Sequence, residues 1–256
     1  EKSCTSLAGV PYMYEMLKKL RFERMELPSL RYLTQAGGKL DNEYIKYISD
    51  YSLKKNINCF VMYGQSEATA RISYLPPPNL PNNIGSIGVA IPGGELYLEN
   101  INAFAKVHNY SVGELCYKGL NVMMGYSSNK LDLSKGDVQN SKLKTGDLAY
   151  CNDQNMYFIV GRLNRFIKLF GIKVGLDDLE NKMRKLSKSN MLITGSDDRI
   201  MVALDKKDAN KMQKIKDILV NNFGFYHKAI DIQLFDEFPR FSSNKYNYEA
   251  IKKCFH

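Results

Sequence analysis

The stretch 57-INCFVMYGQSEAT-69 decides how the rest of the chain is read. Its first half, 57-INCFVMYG-64, is a β-branched and aromatic run, the signature of a buried strand. The glycine at its end lets the backbone turn sharply, at the point where ligands gather in open α/β sheets. Beyond it, Ser66 offers a hydroxyl to a phosphate oxygen and Glu67 offers a hard carboxylate to Mg²⁺. On its own, such a loop reads equally well as a bland turn with a surface glutamate.

Working upstream, residues 41–55 read as a helix, and 30-LRYLTQAGG-38 as a strand ending in a glycine turn. Residues 5–20 carry Leu7, Val10, Leu17 and Leu20 near helical spacing, which predicts a helix capped by Thr5 or Ser6. This strand–helix–strand alternation predicts a parallel α/β layer. Downstream, from about 85 to 160, short runs at 95–99, 114–119 and 156–161 are divided by Gly, Asn and Ser clusters, as in a small antiparallel β unit. A third region opens near Gly161. It holds an amphipathic helix over 176–188, strands at 190–195 and 199–205, a helix over 208–222 and a strand at 230–235.

The fold class expected is therefore α/β. A region over 1–163, with its parallel layer and antiparallel unit, is followed by a small α+β domain over 164–256. No stretch approaches the ~20 apolar residues of a membrane helix, and residues 1–10 lack a signal-peptide pattern. The five cysteines, at 4, 59, 116, 151 and 254, are scattered, odd in number and without a CxxC pair. They read as buried or idle thiols in a reducing, cytoplasmic setting. The net charge of +9 raises the question of a nucleic-acid partner. From residue 164 onward 18 basic residues face 12 acidic ones, yet the two signs are mixed along the helices, as on solvated faces. Aromatic residues do not interleave with the basic ones as in single-strand binders. ATP and coenzyme A, being polyanions, account for the bias as well.

A second constellation is 145-TGDLAY-150, followed by 161-GRLNRFIKLFGIKV-174. An aspartate on a tight turn accepts both hydroxyls of a ribose, and a guanidinium forks onto ribose or phosphate oxygens. With 36-AGGKL-40, 63-YGQSE-67, 113-GELCYKGLNVMMGY-126 and 239-PRFSSNK-245, these pieces resemble, in order, the motifs of the adenylate-forming superfamily. That superfamily includes acyl-CoA synthetases, amino-acid adenylation domains, luciferases and aryl ligases. The stretch 161–180 is most similar to D-alanine–carrier protein ligases and related adenylation domains.

The resemblance implies an AMP-forming acid–thiol ligase. A carboxylic acid reacts with ATP to give its acyl-adenylate, and the thiol of coenzyme A or of a carrier-protein phosphopantetheine then takes the acyl group. It also implies roles. Gly37 and Gly38 match the turn against adenine, and Tyr63 with Gly64 the aromatic stacked on it. Ser66, where the family usually has threonine, matches the α-phosphate contact, and Glu67 the Mg²⁺ ligand. Asp147 matches the ribose acceptor and Arg162 the neighbouring ribose and phosphate contact. Lys245 matches the lysine bridging the attacking carboxylate and the α-phosphate, and Gly171 the glycine lining the pantetheine tunnel. Asn164 and Asn244 depart from the family's acidic hinge residue and from its glycine before the lysine. The family's upstream Ser/Thr/Gly-rich phosphate loop has no match before residue 63, so the resemblance implies that 1–163 is a partial large domain with its upstream half as a partner, and that 164–256 is the small mobile domain. A truncated or degenerate homologue that binds nucleotide or a partner without turnover is the alternative. The segment 71-RISYLPP-77 is expected to run past the acyl pocket.

Overall fold

The computed structural model describes residues 3–241 and 246–255, apart from the side chains at 102–105 and 173. The chain divides into two compact units, Glu1–Val160 and Gly161–His256. Among the described residues, no helix is long and apolar enough to cross a membrane.

The first unit begins with β1 (Ser6–Gly9), α1 (Pro11–Lys19), β2 (Tyr32–Gln35), α2 (Asn42–Lys55) and β3 (Asn58–Tyr63). β1, β2 and β3 pair in parallel, so each helix is a crossover between parallel neighbours. The helix expected over 5–20 is thus corrected to a strand followed by a shorter helix. Pro11 is the reason. It has no N–H to give and fits only a helix's first turn, and it pushes Val10 into extended backbone (φ −93°, ψ 166°). Residues 6–9 then pair with Tyr32–Gln35 instead. α2 buries Ile45, Ile48 and Tyr51 and stops at Asn56, whose φ of 51° is left-handed.

β4 (Ser73–Leu75) and β5 (Val89–Ala90) extend the sheet in antiparallel fashion to the order β1-β2-β3-β4-β5. A second sheet holds β6 (Glu95–Val107), β7 (Tyr110–Lys118), β8 (Lys142–Cys151) and β9 (Tyr157–Arg162) in that order. The two sheets are joined by a bridge between Gly88 and Tyr157 and by a shared core of Ile72, Leu115, Tyr117 and Leu143. At the end of β3 the chain folds back on itself so tightly that a Cβ on Gly64 would collide with the carbonyl of Ala70. Only glycine fits there.

In the second unit, β10 (Phe166–Leu169) and β11 (Ile172–Gly175) form a hairpin ahead of α3 (Leu176–Ser187). Then come β12 (Met191–Ser196), β13 (Arg199–Asp205), α4 (Met212–Asn221), β14 (Ile230–Phe235) and α5 (Tyr248–Lys253). β13 pairs antiparallel with β12 and parallel with β14. Leu176, Leu179 and Met183 of α3 and Ile215 and Leu219 of α4 pack on this sheet. Each such fully buried side chain is worth about 1.5–3 kcal/mol relative to exposure. The hairpin and α5 were not foreseen, and the helix expected over 208–222 opens as 3₁₀ turns over Lys206–Lys211.

A charged cluster lies inside this apolar core. Arg165, 7 % exposed, pairs with Asp177 (2.8 Å) and Glu180 (3.3 Å), donates to the Ile193 carbonyl (2.7 Å) and stacks on the Tyr248 ring (3.8 Å). Glu180, 5 % exposed, also accepts from the Ile193 N–H (2.7 Å), Arg184 (2.9 Å) and the Tyr248 hydroxyl (3.1 Å). Burial pushes its carboxyl above the usual carboxylate range, against the pull of the two arginines.

Two outcomes follow, both read by urea unfolding. Arg165→Met, which strips a partner from a buried carboxylate, is expected to cost ~3 kcal/mol, and a loss under ~1 kcal/mol would show the cluster to be incidental. Gly64→Ala is expected to cost ~2 kcal/mol through the forced shift of the 64–71 loop, and a neutral result would contradict the close approach at Ala70.

Candidate nucleotide site

Because β1, β2 and β3 run parallel, their carboxyl ends lie on one edge, where Gly9, the 36–38 turn and Tyr63–Gly64 emerge side by side. Gln35, 2 % exposed, braces the 36–38 turn by donating to the Gly38 carbonyl (2.8 Å), and Gly37 turns there with a φ of 80°.

After Gly64 the chain makes one 3₁₀ turn over Ser66–Ala68. It returns through Thr69 and Ala70, both at positive φ (45° and 69°). Ser66 is exposed and Glu67 half-buried. Asn121 splints this loop: its amide donates to the carbonyls of Ala68 (2.7 Å) and Arg71 (2.9 Å), while Tyr117 donates to its oxygen (2.8 Å). Glu67 is held at both ends, its carbonyl by the Met123 N–H (2.8 Å) and its Oε1 by the Tyr126 hydroxyl (2.8 Å). A depression of about 390 Å³ beside Tyr126 is walled by Met123, Gln139, Lys142, Leu143 and Lys144.

Asp147 arrives from the other sheet. Between the pairs Cys116↔Lys144 and Glu114↔Leu148, three residues of β8 (Thr145, Gly146 and Asp147) face only Leu115. The expected tight turn at Thr-Gly-Asp is therefore corrected to a bulge inside a strand, with Gly146 at a φ of 70°. The Thr145 hydroxyl pins the bulge by donating to the Leu115 carbonyl (2.7 Å) and accepting from the Asp147 N–H (3.1 Å).

The bulge puts Asp147, 6 % exposed, against Tyr63. The Tyr63 hydroxyl donates to Asp147 Oδ2 at 2.5 Å. Gln65 Nε2 reaches the Thr145 carbonyl (2.9 Å), the Tyr63 hydroxyl (3.1 Å) and Asp147 Oδ2 (3.3 Å). Burial, and then the adjoining carboxylate, push the Tyr63 phenol well above its ordinary value, so it stays a proton donor. The Tyr63 ring packs against the core that joins the two sheets.

Of the residues singled out in the sequence, the structure brings Tyr63 and Asp147 into contact, with Gly64, Ser66 and Glu67 on the same loop. Gly37 and Gly38 sit at the neighbouring strand end. Arg162 closes β9, exposed, and belongs to the second unit. Gly171 lies there too, at the β10–β11 turn, with a φ of 83°. Lys245 and Asn244 lie outside the described residues.

Gln65, Asn121, Tyr126 and Thr145 were missed. All four fall inside motifs already quoted. They are uncharged polar residues without a characteristic spacing, so only their hydrogen bonds single them out. Among the described residues no group of three or more His, Cys, Asp or Glu side chains could hold a metal ion. All five cysteines are free thiols. Burial pushes Cys59 up to about 12 and Cys116 up to about 11, which makes both inert.

Set against known proteins, residues 1–127 match the model of the AMP-binding enzyme family. Luciferin 4-monooxygenase of Luciola mingrelica is 24% identical over 98% of this chain and 47% of its own length. The 2-succinylbenzoate–CoA ligase of Bacillus pumilus is 26% identical over 93% of this chain and 49% of its own length. Among solved structures, the O-succinylbenzoate coenzyme A synthetase of Bacillus subtilis in complex with AMP superposes with a TM-score of 0.73. That match has 22% identity and covers 98% of this chain and 51% of that one, a likeness of fold. The chain thus spans about half the length of the relatives it matches. With that family match over the segment that carries the Tyr63–Glu67 loop, and the ordered motifs beyond it, the chain belongs to the adenylate-forming, AMP-binding superfamily.

Proposed function

We propose that this chain is the carboxyl-terminal part of an ATP-dependent acid–thiol ligase. Residues 1–163 serve as the end of its large domain and 164–256 as its small mobile domain. A carboxylate attacks the α-phosphate of ATP to give acyl-adenylate and pyrophosphate, and a pantetheine thiol then takes the acyl group and releases AMP. The relatives named above include a luciferin 4-monooxygenase and a 2-succinylbenzoate–CoA ligase, and the latter supports the class of reaction. The observation that carries the reading is the contact of Tyr63 with Asp147. Two residues 84 apart in sequence share a hydrogen bond at the carboxyl edge of a parallel sheet, with Ser66 and Glu67 on the adjoining loop.

The chemistry brings two anions together, so catalysis is mainly charge neutralisation and positioning. In this reading the 36–38 turn and Tyr63 hold adenine, Asp147 and Arg162 hold the ribose, and Ser66 contacts the α-phosphate. Glu67 is a half-buried carboxylate whose Oε1 takes the Tyr126 hydroxyl, and as a hard oxygen donor it suits Mg²⁺. Glu67 would hold the ion, which would supply positive charge to the phosphate oxygens. Lys245 neutralises the attacking carboxylate and the α-phosphate, and Gly171 lets the pantetheine arm pass. The free thiols suit a cytoplasmic setting. The acceptor is coenzyme A or a carrier protein.

Lys245→Ala is expected to slow ATP–pyrophosphate exchange by about 10²–10³-fold while leaving thioester formation from supplied acyl-adenylate within a few-fold. Equal loss in both half-reactions would remove Lys245 from its role. Glu67→Gln is expected to raise the Mg²⁺ concentration needed for half-maximal exchange about tenfold, and an unchanged Mg²⁺ dependence would release Glu67 from the metal. Exchange is measured with a panel of carboxylic acids, and coenzyme A and a pantetheinylated carrier are compared as acceptors. AMP binding without exchange for any acid would replace the ligase by a nucleotide-binding homologue that does not turn over.

A further inference from the structure

We propose that Gln65 is a positioning residue that fixes the Asp147 carboxylate for the ribose, an inference resting on the assignment of Asp147 to the ribose hydroxyls. A carboxylate turns readily about its last side-chain torsion, whose energy profile is broad and two-fold. A single donor therefore leaves its plane poorly determined. Here Oδ2 takes two donors, the Tyr63 hydroxyl at 2.5 Å and Gln65 Nε2 at 3.3 Å, which come from different residues of one loop.

The same amide does two more things. It donates to the Tyr63 oxygen (3.1 Å), so that the phenolic hydrogen is directed at Asp147 and not elsewhere. It also donates to the Thr145 carbonyl (2.9 Å), the first residue of the bulge that carries Asp147. The glycine at the centre of that bulge gives it conformational freedom, and Gln65 removes that freedom from the loop side. An amide nitrogen has two hydrogens. Serving three acceptors with them ties the orientation of the carboxylate, the phenol and the bulge to one side chain. Gln65 is half-buried, and its amide is held by these three bonds.

The test is calorimetric binding of AMP and of 2′,3′-dideoxy-AMP to the whole protein that carries this chain and to its variants. Asp147→Ala is expected to weaken AMP and spare the dideoxy analogue, establishing the ribose assignment. Gln65→Met keeps the length of the side chain and removes its donors. It is expected to weaken AMP about 5–10-fold, the worth of one positioning hydrogen bond, and the dideoxy analogue less than about 2-fold. Tyr63→Phe, which keeps the ring and removes the other donor, gives an independent arm with the same ribose-selective loss. If Asp147→Ala behaves as stated but Gln65→Met weakens both ligands equally, or neither, the positioning role is overturned alone. If Asp147→Ala does not distinguish the two ligands, or the unaltered whole protein binds no AMP, the ribose assignment falls and this inference with it.

Discussion

The hydrogen bond from Tyr63 to Asp147 ties together, at the site, two sheets that a Gly88–Tyr157 bridge and a shared core also join. Tyr63 ends the central strand of a mixed sheet, and Asp147 stands on a bulge of an antiparallel one. A carboxylate that is 6 % exposed must find donors or lose its charge, and here it finds them in a phenol and an amide on one loop. The phenol is held protonated by burial and by the carboxylate itself, so the direction of the bond is fixed. The rest of the site hangs on this junction. Gly64 lets the loop fold back, Asn121 splints it, and Tyr126 steadies Glu67 at its far side.

The second unit solves a similar problem with full charges. Arg165 and Glu180 are both buried and meet as part of a cluster that includes Asp177, Arg184, the Ile193 backbone and Tyr248. Among the described residues no buried side-chain nitrogen or oxygen lacks a partner. Such a cluster adds little net stability over a well-packed apolar one, but it penalises any arrangement that strands one of its charges. Arg165 is thereby committed to the second unit. The residue before it, Asn164, occupies the position that the family resemblance marks as a hinge, so the place where the chain is expected to swivel abuts a side chain that is firmly held.

Much of the fold was legible because the patterns involved are local. The buried run at 57–64, the amphipathic faces of 41–55 and 176–188 and the apolar strands of the second unit each declare themselves through neighbouring residues. The failures were of another kind. Residues 5–20 carried apolar residues near helical spacing, yet 6–9 became a strand because Tyr32–Gln35 was available as a parallel partner. Pro11 had marked the true start of the helix. The β10–β11 hairpin and α5 escaped because short elements stabilised by tertiary contact leave little periodicity behind.

For the site, the sequence alone determined which chemical groups were on offer and in what order: a phenol, a hydroxyl, two carboxylates, arginine and lysine, spaced in the pattern of the adenylate-forming superfamily. Residue type and order are properties of the chain, and they survive without knowledge of the fold. Only the tertiary structure decided that Thr-Gly-Asp is a bulge within a strand and not a turn between strands. It also decided that Gln65 is the side chain bridging Tyr63, Thr145 and Asp147. A bulge is defined by the register of two strands, and a bridging amide by acceptors on its own loop's Tyr63 and, 80 and 82 residues away, on Thr145 and Asp147. Neither is a property of any single stretch of sequence.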